Sequence, residues 1–107
     1  TSITNLYDAG YDEPPVFPGS EEALMRFIET NKNYPQAARD RNIKGTIVVR
    51  FRIDETGKVT NSSIFSGVDP LLDAEALRVV NSMPQWQPAK RKDKPVKVFY
   101  TLEIPFN

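Results

Sequence analysis

The sequence contains neither cysteine nor histidine. Without cysteine the chain has no disulfide, no thiolate metal ligand and no thiol nucleophile. Without histidine it lacks the side chain that most often acts as a general base near neutral pH and as a metal ligand. A Ser-His-Asp triad is therefore excluded, and the acidic residues stand at positions typical of helix caps and turns. The sequence predicts no catalytic residue, no metal site and no cofactor, so we expect a protein that is not an enzyme.

An excess of charge of one sign is also missing. Lys+Arg and Asp+Glu are both 14 in 107 residues, so the net charge is zero. This balance argues against a broad electrostatic surface for nucleic acid or an anionic membrane, and we expect no nucleic-acid partner. No run approaches the roughly 20 apolar residues of a membrane span. Because the chain starts at Thr1 rather than at Met, we expect a fragment or a processed product, with room for an anchor upstream.

The length suits a single domain preceded by an arm. Residues 1–19 contain several prolines and glycines and little periodicity, and we interpret them as a linker or extended arm with Val16 and Phe17 as candidate docking points. Residues 20–107 alternate between helical and strand periodicity and are predicted to form the folded domain.

Two helices are predicted first. Ser20 is a candidate N-cap for a helix that reaches about Asn31. Pro35 suits the first position of a second helix, and Gly45 suits its C-terminal end.

Two strands and a third helix follow. Residues 46–54 alternate as a strand, whereas the returning strand over 58–65 alternates poorly, so we expect a bulge or an outer position there. Asp69 and Pro70 then predict the cap and first residue of a helix. The basic run 90–94 is interpreted as a solvated loop.

The last predicted strand is the longest, and it ends the chain. In the run KPVKVFYTLEIPF the apolar residues of one face recur at every second position, at Val96, Val98, Tyr100, Leu102, Ile104 and Phe106. The element order α-α-β-β-α-β predicts an α+β fold, with a three-stranded antiparallel sheet and helices packed on one face. The last strand is either an ordinary sheet member or an open edge to which a partner adds a strand.

Several short motifs, taken in order over residues 34–107, resemble the C-terminal domain of TonB proteins (the TonB/TolA C-terminal-like fold). They are Tyr34-Pro35-x-x-Ala38, Gly45-x-Ile47-x-Val49-x-Phe51-x-Ile53, Thr56-Gly57-Lys58-Val59, the run from Gly67 to Leu77, Trp86-x-Pro88-Ala89, and Pro95-Val96 through Ile104-Pro105-Phe106. The segment from Phe17 to Leu24 resembles the extension of Bacteroidetes-type TonB energy transducers, with Ser20 where the family often has a second glycine.

The resemblance implies the periplasmic domain of an inner-membrane-anchored energy transducer that is driven through an ExbB–ExbD complex. Such a domain binds the TonB box, a short segment of an outer-membrane transporter, by strand addition to its last strand, and it transmits force for nutrient uptake. Carried onto this sequence, the partner-binding residues are Val96, Lys97, Val98, Phe99, Tyr100, Thr101 and Leu102, with Tyr34 and Pro35 at the border of the contact.

Two alternatives stay open at this point. The same edge could pair with a second copy in a homodimer. The domain could also be a TonB-like adaptor or sensor of a membrane-bound regulatory protein of the metallopeptidase type. One upstream membrane span with a Pro-rich tract would favour the transducer, whereas several spans with a zinc-ligand motif would favour the regulator.

Overall fold

The computed structural model describes residues 3–4, by their backbone, and residues 11–107. Its helices and strands are β1 Ile3–Thr4, α1 Glu21–Asn31, α2 Gln36–Asp40, β2 Gly45–Ile53, β3 Val59–Ser66, α3 Pro70–Asn81, β4 Ala89–Arg91, β5 Lys94–Val96 and β6 Val98–Phe106. The main sheet has the strand order β1-β6-β2-β3, and β4 pairs with β5 in a separate hairpin. The predicted α+β fold is confirmed, because the antiparallel strands β6, β2 and β3 share one buried face with residues of α1, α2 and α3.

The pairing of β2 with β6 forms the centre of the sheet. It runs without interruption from Gly45 opposite Phe106 to Ile53 opposite Val98. Side chains alternate across a strand, so every second residue faces the helices. On β2 and β6 these residues are buried, as the alternation in the sequence predicts: Ile47, Val49, Phe51, Ile53, Val98, Tyr100, Leu102, Ile104 and Phe106.

Strand β3 is the outer strand on the other side of β2. Its pairing with β2 shifts register twice, and Asn61 has a φ of 52°. The bulge and the outer position expected from its poor alternation are therefore both confirmed. Phe65 near its end is 64% exposed.

Local chemistry fixes the turns on both sides of β3. The Asp69 carboxylate accepts a hydrogen bond from the Leu71 N–H at 2.9 Å, and Pro70 is the first residue of α3, as predicted. Gly57 has a φ of 89°, and a Cβ there would lie 1.8 Å from the carbonyl oxygen of Trp86. Only glycine fits this position, where its own carbonyl accepts the Trp86 N–H at 2.8 Å.

Two predicted elements differ from the structure. Helix α2 is short and ends well before Gly45, and Pro35 is the residue before its first turn. The interpretation of residues 90–94 as a loop is wrong, because they form the β4–β5 hairpin. Its two turn residues, Lys92 and Asp93, have φ values of 51° and 65°. Such turns usually contain Asn-Gly, and the sequence gives no such signal here.

The second half of the arm lies along this hairpin. Val16 exchanges backbone hydrogen bonds with Gln87, and Glu13 does so with Lys90, at distances of 2.8 to 3.0 Å. Phe17 is 5% exposed and belongs to the core, whereas Val16 is 41% exposed. The arm therefore contributes both main-chain pairing and one core side chain to the fold.

Ser20 precedes α1, but its hydroxyl does not cap the helix. It makes no side-chain hydrogen bond to the first turn, and its backbone has φ 99° and ψ −179°. Glycine is almost the only residue that adopts this combination without cost, and other residues lose about 1 to 3 kcal/mol. The serine therefore stores backbone strain at the junction of arm and helix.

We expect Ser20→Gly to raise the free energy of unfolding by about 1 kcal/mol, because it relieves this strain. For a domain of this size the melting temperature should rise by about 4 to 8 °C. Ser20→Ala is the matched control: it removes a hydroxyl without a cap function and keeps the Cβ, so it should change stability by less than about 0.5 kcal/mol. Equal stability of the glycine and alanine variants in urea unfolding would contradict the assignment of strain.

Candidate functional site

The direction of the backbone groups of β6 follows from one proline. Alternate residues of an antiparallel strand send their N–H and C=O groups to opposite sides. Pro105 has no N–H, and proline in a sheet occupies a position whose nitrogen faces out of the ladder. Its carbonyl accepts a hydrogen bond from Lys32 Nζ. Residues of the same parity, Phe99, Thr101 and Glu103, therefore direct their backbone groups away from β2, toward the edge of the sheet.

Lys32 closes the C-terminal end of this edge. Besides the Pro105 carbonyl, its Nζ contacts Glu29 Oε2 at 3.2 Å and lies 5.4 Å from the ring centroid of Phe106. At Pro105 the edge thus lacks a donor, and its acceptor is already used. A strand that adds to β6 can pair only N-terminal to this point. The signal for this stop was present in the sequence as a proline inside a strand pattern, but the role of Lys32 was not.

The middle of the edge is paired with the chain's own N-terminal segment. Strand β1 lies antiparallel to β6, with Ile3 opposite Leu102 and Thr4 opposite Thr101. Because Thr101 directs its backbone toward the edge, Thr4 and Thr101 form the hydrogen-bonded pair of this short ladder. The predicted open edge is therefore covered over two residues.

Five of the predicted partner-binding residues lie on β6, and they differ in what they offer. The side chains of Val98, Tyr100 and Leu102 are buried in the core. Phe99 is half-buried on the opposite face, and Thr101 is 6% exposed there, with an Oγ1 that has no hydrogen-bond partner in the described part of the chain. Of these five residues, Phe99 and Thr101 are the two that combine a side chain on the outer face with edge-facing backbone groups.

The other predicted residues lie beyond the two ends of β6. Val96 belongs to β5 and pairs with Ala89, and the exposed Lys97 connects the two strands. Beside Lys97 a cavity of about 240 Å³ opens, lined by Arg52, Lys97, Val98 and Phe99. The edge of β6 is therefore recessed at its N-terminal end, where it adjoins the β4–β5 hairpin.

Tyr34 and Pro35 lie at the opposite end. The Tyr34 hydroxyl donates to the Ile43 carbonyl, and its ring stands edge-on to Phe106 at 5.6 Å between centroids. Nine residues of strand place this end about 26 Å from Val98. Tyr34 and Pro35 are not brought together with the residues at the start of β6.

An aromatic cluster packs the start of β6 against the arm. The Tyr100 ring lies 5.0 Å from Trp86 and 5.6 Å from Phe51, and Phe17 of the arm stands edge-on to Trp86 at 5.4 Å between centroids. Such edge-to-face and tilted pairs stabilise beyond simple area burial. Burial, followed by the charge of Glu21, raises the pKa of Tyr100 to about 12. The strand that carries the edge is thus held firmly at this end.

These features define a class of small α+β domain, in which the last strand of the chain pairs with a central strand and has its other side at the sheet edge. The family model described as Gram-negative bacterial TonB protein C-terminal matches residues 30–107. The chain belongs to this family, and the resemblance found in the motifs of residues 34–107 is confirmed.

Solved structures give the same fold. An NMR solution structure of the Helicobacter pylori TonB C-terminal domain is similar with a TM-score of 0.58 and 22% identity, over 80% of this chain and 90% of that one. A longer form of the same domain gives a TM-score of 0.54 and 24% identity, over 84% of this chain and 87% of that one. No curated protein matches the sequence. Among the helices of the described residues none has the length and hydropathy needed to cross a bilayer.

The buried phenol gives a test of how β6 is anchored. The pKa of Tyr100 is raised from 10.0 to about 12, mainly by burial. The folded state therefore holds this proton more tightly than the unfolded state, so the stabilisation is complete below pH about 10 and is lost as the pH rises toward 12. We expect Tyr100→Phe to lose less stability than the parent over this interval. The difference in tyrosinate absorbance between the parent and Tyr100→Phe reports the titration of Tyr100, and its midpoint should lie near pH 12. A midpoint near pH 10 would instead show that the ring is solvated.

Proposed function

We propose that this domain is the periplasmic part of a TonB-type energy transducer, and that it binds the TonB box of outer-membrane transporters as an added strand on β6. The observation that carries the proposal is the direction of the backbone N–H and C=O groups of Phe99 and Thr101. These groups point to the sheet edge, while the other side of β6 is fully paired with β2. The opposite edge, on β3, is irregular and offers a poorer template. Membership of the TonB C-terminal family supports the class of partner.

The proposed role is mechanical and not catalytic. Each backbone hydrogen bond contributes only about 1 kcal/mol net, but several bonds along one strand share a pulling load. A load on the added strand passes into β6 and from there into the nine-residue ladder with β2. An upstream inner-membrane anchor and an ExbB–ExbD complex would supply the force, and the result would be nutrient uptake through the transporter.

The predicted residues take different parts in this binding. Phe99 and Thr101 supply backbone groups, while Val98, Tyr100 and Leu102 hold the strand in the core. Val96 and Lys97 border the start of the added strand. Tyr34 and Pro35 would meet only a partner long enough to reach the Pro105 end.

Binding at this edge requires an exchange of strands. A guest strand and β1 need the same backbone groups of Thr101. The guest therefore displaces β1 before it can pair with the whole usable stretch. A second copy of the domain, paired through its own β6, would compete for the same groups.

Peptides from the N-termini of outer-membrane transporters test the proposal. In an NMR titration we expect the largest amide shift at Phe99, whose N–H gains a hydrogen bond, with smaller shifts at Val98 and Tyr100. Peptides N-methylated at alternate residues provide the control within the ligand. Methylation of the residues that face β6 should abolish binding, whereas methylation of the others should leave it nearly unchanged.

Dilution of the domain without peptide distinguishes self-pairing from guest binding. If two copies pair through β6, the chemical shifts of β6 should depend on the protein concentration. The proposed function is wrong if millimolar peptide leaves the amides of β6 unshifted. It is also wrong if both patterns of N-methylation are tolerated.

The exchange with β1 gives a second test. Thr4→Pro removes the N–H that pairs with Thr101, so the guest should bind about fivefold more tightly, in keeping with one backbone hydrogen bond of about 1 kcal/mol. Ile3→Pro is the matched control, since Ile3 directs its backbone away from β6 and its replacement should change affinity much less. Equal affinities for the parent and Thr4→Pro would show that β1 does not compete.

A further inference from the structure

The face of the sheet opposite the helices carries two arginines and a phenylalanine in adjacent rows. Arg52 lies opposite Phe99 and Arg50 lies opposite Thr101 across the β2–β6 ladder. The guanidinium carbons of Arg50 and Arg52 lie 4.5 and 5.3 Å from the centroid of the Phe99 ring. Both side chains start on β2 but place their charge over β6, one strand nearer to the edge.

The basic cluster consists of Arg50, Arg52 and Lys97 around Phe99, and within residues 11–107 no ion pair is formed by these three cations. Within residues 11–107 neither arginine has a carboxylate oxygen within ion-pair distance, since the ion pairs there are Lys32 with Glu29 and Arg78 with Glu75. Arg50 Nε is buried and has no hydrogen-bond partner in that range. A buried donor without an acceptor is costly, so the arrangement favours an incoming acceptor.

The geometry of strand addition brings a guest side chain to this cluster. A strand paired with β6 would lie about 4.8 Å from it, and residues directly opposite each other point to the same face. A guest residue opposite Phe99 or Thr101 therefore projects beside the two guanidinium groups. The cavity of about 240 Å³ lined by Arg52, Lys97, Val98 and Phe99 leaves room for it.

A carboxylate is the chemistry that this cluster fits. The guanidinium group matches a carboxylate with two parallel hydrogen bonds, and a guanidinium already held on an aromatic ring loses less freedom when it binds. The exposed ammonium of Lys97 adds a third positive charge at the same end of the edge. An apolar guest side chain would leave these donors without an acceptor, and a neutral amide would accept a hydrogen bond without balancing the positive charge.

We propose that Arg50, Arg52 and Lys97, arranged around Phe99, form a subsite for an aspartate or glutamate side chain of the strand that adds to β6. The partner is then an extended segment with an acidic residue opposite Phe99 or Thr101. The acidic residue fixes the register of the added strand at the end remote from the Pro105 stop. This inference rests on the proposed function and specifies its ligand.

The test uses short, end-blocked peptides of alternating valine and threonine in which a single aspartate is moved through the sequence, with asparagine at the same place as the control. Affinity for the whole chain is measured by the NMR shift of Phe99 and by competition with a fluorescent peptide. At the position that faces the cluster, aspartate should bind about fivefold more tightly than asparagine, which is the upper end of the range for a solvent-exposed ion pair. The preference should shrink as the salt concentration rises.

Variants locate the effect. Arg50→Gln and Arg52→Gln should each reduce the preference for aspartate, measured as the ratio of the affinities of the aspartate and asparagine peptides. Arg50→Lys should retain part of the preference because it keeps the charge. Arg41→Gln, an exposed arginine at the far end of the domain, is the matched control and should retain all of it.

The outcomes separate the two proposals. Equal binding of aspartate and asparagine peptides at every position overturns the subsite but leaves strand addition intact. A preference for aspartate that survives both glutamine variants also overturns it, because the carboxylate is then bound elsewhere. Failure of every peptide to shift β6 is the failure of the proposed function itself.

Discussion

The pairing of β2 with β6 is the constraint from which the rest of the domain follows. These strands are distant in sequence, yet nine consecutive residue pairs join them without a shift. Because the side-chain period is two, this register places the apolar rows of both strands on the helical face at once. A slip of β6 by one residue against β2 would turn Tyr100 to solvent and bring Phe99 inside, while Phe51 stayed in the core. The same register thus fixes the core, the direction of the edge-facing backbone and the alignment of the arginines with Phe99.

The arm makes the state of the edge depend on residues far from it in the chain. Phe17 packs into the aromatic cluster around Trp86, and residues 12–16 pair with the segment that leads into β4. At the N-terminal side of the arm, β1 pairs with Thr101 and Leu102 of β6. The side-chain anchor is strong, and the terminal pairing is only two residues long. This difference would leave the arm attached at Phe17 while β1 is exchanged for a guest strand.

The sequence predicts this structure well where the hydrophobic periodicity is strong. It predicts it poorly where a turn or a pairing depends on backbone conformation without a characteristic residue type. Three features could be predicted because each has a local cause in residue type: the alternation of the last strand, the cap at Asp69 and the bulged outer strand. The β4–β5 hairpin was not predicted, because Lys92 and Asp93 adopt positive φ values without the usual glycine or asparagine signal. The lysine that caps Pro105 and the arginines over Phe99 depend on contacts between distant segments, which no local pattern encodes. The short β1 pairing is likewise a matter of tertiary structure.

The irregular ladder of β3 has a consequence for assembly. With register shifts and a positive φ at Asn61, this side of the sheet presents a poor template, whereas the side formed by β6 is regular. A protein with two regular sides can stack its sheets end to end without limit. With one regular side, two copies that met through it would leave nothing further to extend, so such self-association would close as a pair and would not grow into fibres. The bulge of β3 thus reduces the hazard of polymerisation through the sheet edges.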